Sequence, residues 1–221
     1  MVSESWDKLK ALYAVETLQG YTEKDIELLK GIFGTLPRVL EEFYRTAGRT
    51  EAIYNGEDEW VLPEHYQKRE WLRHPDYMIL LNEAQYVCCA GIRKEDLHLP
   101  DPPVYVMQGE ENWVLCAPTT SDFLNAALAY ESVYTFSYSP EEFYLLTKEE
   151  VELINTRLTK LPYEMTNWIG GVHITLFQNE KDNLAAIMDC GDGMPDMLYG
   201  AASEASYEKI QLALCGIGEP M

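Results

Sequence analysis

No run of about 18 apolar residues occurs in the chain, which excludes a membrane-spanning helix. The opening segment, MVSESWDKLK, carries charge within four residues and lacks the apolar stretch of a signal peptide, so a cytoplasmic protein is expected. Cationic side chains are scarce: 17 Lys and Arg stand against 37 Asp and Glu, a formal net charge of −20. That balance argues against a nucleic-acid surface, because such affinity comes largely from Lys and Arg neutralising phosphates. It argues equally against an anionic membrane surface. What it favours is fast, electrostatically steered encounter with a basic protein.

Catalytic and ligand motifs are missing as well. There is no Cys-x-x-Cys pair and no helical His pair, and His65, His74, His98 and His173 are scattered. The loop Asp189 to Asp196 (DCGDGMPD) fails as a calcium loop. Counting from Asp189, the third, fifth and twelfth positions are Gly191, Gly193 and Gly200, where acidic or amide ligands are needed. Neither a phosphate-binding G-x-x-x-x-G-K-[ST] nor a complete G-x-G-x-x-G is present, and the serine elbow G-x-S-x-G is absent. The five cysteines are odd in number. Cys88, Cys89 and Cys116 lie in apolar runs, where a free thiol behaves as a small hydrophobe with a raised pKa. Adjacent Cys88 and Cys89 should point to opposite faces of a strand. These readings predict a non-enzymatic chain with no metal and no cofactor.

What is present is a sequence of amphipathic helices and short strands. Residues 5–18 read as a helix with Trp6, Leu9, Leu12 and Tyr13 on one stripe. Thr22 and Asp25 form a capping box before Ile26, Leu29, Ile32 and Phe33. In LPRVLEEFYRTAG, Pro37 takes the first helical position, Val39, Leu40, Phe43, Tyr44 and Ala47 cover one face, and Gly48 fits a C-terminal cap. Strands are then expected at 77–81, 86–91, 104–107 and 113–116, spaced too closely for parallel crossovers. A helix capped by Ser121 follows. Beyond it, Thr147 caps a helix over 148–160, strands run over 172–177 and 184–188, and a last helix covers about 206–214. The expected fold is α+β: one domain over 1–221, with an antiparallel meander flanked by helices (core about 22–145) and an αββα extension at 146–221.

Between Lys94 and Lys148 there is no Lys or Arg at all, while nine acids occur there, among them Asp101, Glu110, Glu111, Asp122 and Glu131. Tyr105, Trp113, Phe123 and Tyr130 are interleaved with them, and a second acidic–aromatic cluster is Glu57, Asp58, Glu59 and Trp60. Tyr and Trp are the residues that most often anchor protein–protein contacts. The candidate partner-binding residues are therefore Glu57, Asp58, Glu59, Trp60, Asp101, Glu110, Glu111, Trp113 and Asp122.

The helix Leu36 to Gly48, followed by YMILLNEAQ, QYVCCAGI, PPVYVMQ, GEENWVLCAPT and SDFLNAALAYE, resembles the SUKH superfamily over about residues 22–131. That superfamily includes bacterial immunity proteins and a yeast regulator of cell-wall assembly. The resemblance implies an α+β domain without a catalytic set, and a role in binding and neutralising a secreted toxin domain, often a basic nuclease. The alternatives are an intracellular interaction scaffold with an endogenous partner, or an enzyme with a cleft between the core and the C-terminal extension. On the charge reading, replacing Glu110 and Glu111 by Lys should slow association with a basic partner. The wild-type association rate should fall between about 50 and 500 mM salt, where the Debye length shrinks from roughly 14 to 4 Å. Stopped-flow or surface kinetics would check both, and a rate indifferent to salt would contradict them.

Overall fold

The computed structural model describes residues 3–109 and 112–221, so Glu110 and Glu111 of the expected binding set lie outside the described residues. The fold is α+β, with seven α-helices and two antiparallel sheets of five and seven strands among the described residues. The chain divides into two compact units, one formed by Thr17–Leu124 and the other by the residues up to Glu16 together with Asn125–Met221. The segment expected as an extension at 146–221 builds most of a seven-stranded sheet and a hydrophobic core of its own.

The chain opens with helix α1, Ser3–Leu12, which belongs to the second unit; it ends at Leu12 where the periodicity ran on to residue 18. The first unit starts with α2 (Glu23–Phe33) and α3 (Arg38–Thr46). The Asp25 carboxylate accepts from the Thr22 N–H at 3.1 Å and from its hydroxyl at 2.7 Å, which fixes the start of α2. Pro37 stands at the N-cap of α3, one residue outside the position expected. Gly48 follows the cap residue Ala47 and donates its N–H to the Phe43 carbonyl at 3.1 Å. Its lack of a side chain matters for space: a methyl there would lie 2.7 Å from Tyr44 Cα and 2.8 Å from the Tyr44 carbonyl oxygen.

The strands of this unit are β1 (Glu59–Trp60), β2 (Tyr77–Asn82), β3 (Cys89–Arg93), β4 (Val104–Gln108) and β5 (Asn112–Ala117), in the order β1-β2-β3-β4-β5. A short helix, α4 (His65–Lys68), lies between β1 and β2, and α5 (Thr120–Val133) follows β5. Expected strand 86–91 starts at Cys89 instead. The Glu83 carboxylate accepts from the N–H groups of Gln85 (2.9 Å) and Val87 (3.2 Å), and that bracing holds 83–87 as a tight turn. Cross-strand register sets the two faces. Met78 pairs with Ile92, and Ala90 with Val106, all buried on the helix side with Leu40 and Phe43. Ile79, Gly91, Tyr105 and Leu115 are opposed in turn on the other face, as are Tyr77 with Arg93 and Met107 with Trp113. A bulge between Ile79 and Leu81 shifts the alternation, so that Asn82 pairs with Cys89.

Helix α5 is capped by Thr119 and not by Ser121. The Thr119 hydroxyl accepts from the Asp122 N–H at 3.0 Å and donates to the Asp122 carboxylate at 2.8 Å. In the second unit, β6 (Tyr144–Leu145), α6 (Lys148–Arg157), β7 (Thr159–Lys160), β8 (Met165–Trp168), β9 (Val172–Gln178), β10 (Asn183–Asp189), β11 (Asp196–Ala201), α7 (Glu204–Leu214) and β12 (Glu219–Pro220) follow in turn. The sheet order is β12-β6-β11-β10-β9-β7, with β8 paired to β9. The expected helices and the two expected strands correspond to α6, α7, β9 and β10. Missed were β6, β7, β8, β11 and β12, the longest of them β11, which the Gly-rich loop before it disguised as coil, and α6 ends at Arg157 and not at 160. Thr147 caps α6 through a box with Glu150, as expected. Leu146, Ile154, Phe177, Ile187, Met197 and Ile210 are central to the core. Glu131, one of the nine acids in the cation-free stretch, is fully buried. Burial, and after it the Glu131 charge, pushes the Tyr13 hydroxyl well above its ordinary pKa.

The space around two glycines gives opposite expectations. Gly48→Ala should cost about 1–3 kcal/mol through overpacking. Gly31→Ala, in α2 with open space around the new methyl, should stabilise by about 0.5–1 kcal/mol. Urea unfolding of the two variants checks both signs.

Candidate functional site

The structure gives most of the sequence-predicted acids structural work. Asp58 is buried, and its carboxylate accepts from the Ala84 N–H at 3.1 Å, tying β1's approach to the β2–β3 turn. Glu59 is half-buried and bonded on every side: to Arg69 at 2.7 Å, to the Tyr86 hydroxyl at 2.9 Å and to the Asn82 amide at 3.3 Å. Burial alone would raise its pKa, but Arg69 and the hydroxyl of Tyr86 hold it below the usual glutamate value. Asp101 accepts from the Ser121 N–H at 2.8 Å, and with Asp122 it places negative charge at the N-terminus of α5. Trp60 is core, with ring centroids 6.2 Å from Phe43 and 6.4 Å from Phe123. Glu57 is exposed. The predicted residues are thus dispersed over a loop brace, a helix cap and the core; of the aromatic pair, only Trp113 reaches a surface.

Trp113 leads to the feature that sequence reasoning missed. It lies flat on Tyr77 (centroids 3.6 Å apart, planes 9° apart) and edge-on to His74 at 5.4 Å. On the same sheet face, Trp71 is 57% exposed, Tyr86 55% and Leu115 47%, and Val87 beside Tyr86 reaches 59%. Trp71 and Tyr86 meet edge to face at 5.9 Å. The Arg93 guanidinium stands 4.1 Å above the Tyr105 ring and its Nε donates to the Tyr77 hydroxyl at 3.3 Å. Two hollows mark this face. The larger, about 810 Å³, is an open groove along His74, Asp76, Tyr77, Arg93, Lys94 and Trp113. The smaller, about 410 Å³, is apolar and runs between Trp71 and Tyr86 over Ile79, Cys89 and Met107.

Neither hollow assembles a reactive group. The His74 Nδ1 accepts from the N–H groups of Asp76 (3.1 Å) and Tyr77 (3.2 Å), so it is spent on closing the turn before β2. Burial pushes the Cys89 thiol up to about 12, which makes it a poor nucleophile. Among the described residues, no three His, Cys, Asp or Glu side chains are placed to hold a metal ion. None of the five cysteines forms a disulfide, and Cys88 and Cys116 are buried. No described helix is long and apolar enough to cross a membrane.

Compared with protein-family models, with curated proteins and with solved structures, the chain matches none. The chemistry of the aromatic face therefore carries the functional argument. A single variant pair tests the division between core and surface drawn above. Trp60→Ala should lose about 3–5 kcal/mol of stability, as for a large core ring. Trp71→Ala should change stability by no more than about 0.5 kcal/mol. Chemical denaturation followed by far-UV circular dichroism measures both.

Proposed function

We propose that this chain is a non-enzymatic binding module that captures a basic protein on the aromatic face of the five-stranded sheet, acting as an immunity protein that neutralises a toxin domain. The observation that carries this reading is the pair Trp71 and Tyr86, each more than half exposed and in edge-to-face contact over the smaller hollow, with Leu115 exposed on the same sheet face. Contiguous exposed apolar surface of this kind marks interaction sites in soluble proteins. Trp and Tyr are the side chains that anchor such sites. The net charge of −20 supports a basic partner, and the SUKH resemblance supports the neutralising role. Five cysteines without a disulfide are in keeping with a cytoplasmic location.

The division of labour in this reading is physical. Acids spread over the surface accelerate encounter, and the aromatic face sets how long the complex lasts. The test is co-expression with a toxin domain, should one be encoded by a gene adjoining that of this chain. The wild-type chain should restore growth and form a stoichiometric complex with a basic domain. A Trp71→Ala/Tyr86→Ala double variant should bind at least roughly 30-fold more weakly, chiefly through faster dissociation. An acidic partner, absent protection, or unchanged affinity of the double variant would each refute the assignment. A stable complex with a non-toxic endogenous protein would favour the scaffold reading instead.

A further inference from the structure

The smaller hollow has the form of a receptor for one particular side chain. Trp71 and Tyr86, held edge to face, line it together with Ile79, Met107, Cys88 and Cys89, and His74 and Asn82 add its polar atoms. At its end the Tyr86 hydroxyl donates to the Glu59 carboxylate at 2.9 Å, which keeps that ring electron-rich and fixed in place. Tyr86 occupies the left-handed backbone region, φ 60°, a conformation an aromatic residue adopts only when its surroundings impose it. The turn does impose it: the Tyr86 N–H bonds to the Glu83 carbonyl at 2.8 Å, while the Glu83 carboxylate holds the N–H groups on either side. The ring this turn displays is still more than half exposed. Its hydroxyl is committed to Glu59, and the exposed ring is left for a ligand.

We infer that this hollow receives an arginine side chain of the partner, its aliphatic stem along Ile79 and Met107 and its guanidinium against the Trp71 and Tyr86 rings. The inference rests on the binding function proposed above and names the group that is bound. Three observations select arginine. A largely apolar lining with two aromatic rings suits a side chain that is apolar along its stem and cationic at its tip. Planar guanidinium stacks on aromatic rings better than ammonium does, and the same sheet face already holds one in that way, Arg93 over Tyr105. The net charge of −20 supplies the complementary field. The larger groove is lined by Arg93 and Lys94 against Asp76 and Glu95, so its own charges balance, and it lacks the facing pair of exposed rings.

The experiment is a titration of the full ¹⁵N-labelled chain with N-acetylarginine amide, with the neutral isostere N-acetylcitrulline amide and with N-acetylleucine amide, read at the Trp71 indole N–H. The arginine derivative should produce a saturable shift at least tenfold tighter than either control. That shift should weaken with salt and vanish in Tyr86→Ala, whose fold is checked by its remaining resonances. Absence of a saturable shift, or equal or tighter binding of the citrulline or leucine derivative, overturns the arginine assignment. Failure of the docking face itself would be read elsewhere, as unchanged partner affinity in the Trp71→Ala/Tyr86→Ala double variant.

Discussion

The alternation of side chains along β2 is the constraint on which the first unit depends. All six residues from Tyr77 to Asn82 are buried, yet they serve two different layers. Met78 and Leu80 complete the helix-side core with Leu40 and Phe43, while Tyr77 and Ile79 support the aromatic layer above. A side-chain period of two leaves no freedom in this assignment, because a slip of one residue would exchange the layers. The bulge after Ile79 is the one departure. It delivers Asn82 to the aromatic side, where its amide reaches Glu59, and it leaves Leu81 fully buried. Trp113, Met107 and the hollow beside Trp71 all take their positions from that strand.

Electrostatics plays a different part from the one its magnitude suggests. A net charge of −20 invites the picture of an acidic patch, but many of the acids are committed to local contacts. Asp25, Asp122 and Glu150 hold helix starts, Asp58 and Glu83 brace turns, and Glu59 lies between a guanidinium, a hydroxyl and an amide. Ion pairs and caps at the surface contribute modestly one by one. Asp58, Glu59 and Glu83 together fix the turn that carries Tyr86. What the surplus negative charge retains is long-range influence, which acts on approach and falls away with salt.

Much of this fold was legible in the sequence, and the parts that were not share a cause. Helix α3, the capping boxes at Thr22 and Thr147, and the hairpins of β2 to β5 follow from local patterns that need no tertiary information. The buried state of Trp60 and Glu131 does not, because a residue's composition says nothing about what covers it. β11 was hidden by Gly191 and Gly193, which belong to the turn before it and not to the strand. Trp71 and Tyr86 were hidden more thoroughly. The first sits in a short 3₁₀ turn, Glu70–Leu72, without periodicity, and the second in a turn whose conformation is set by the Glu83 carboxylate. Acidic residues were conspicuous in the sequence, whereas the exposed rings became visible only once β2 and its neighbours were in register.

Tyr66 is fully buried and its hydroxyl donates to the carbonyl of Ile79, at the point where the β2–β3 ladder slips. Polar groups buried together tolerate loss of both partners far better than loss of one. Tyr66 and the slipped register therefore go together: with the ladder as it is, a tyrosine-to-phenylalanine change removes this donor from the Ile79 carbonyl. A regular ladder, in turn, would carry Leu81 in place of Asn82 to the aromatic side and strip Glu59 of its amide. Chains descended from a common ancestor should accordingly keep or lose the tyrosine and the asparagine together, a correlated pattern of inheritance between two positions sixteen residues apart in the chain.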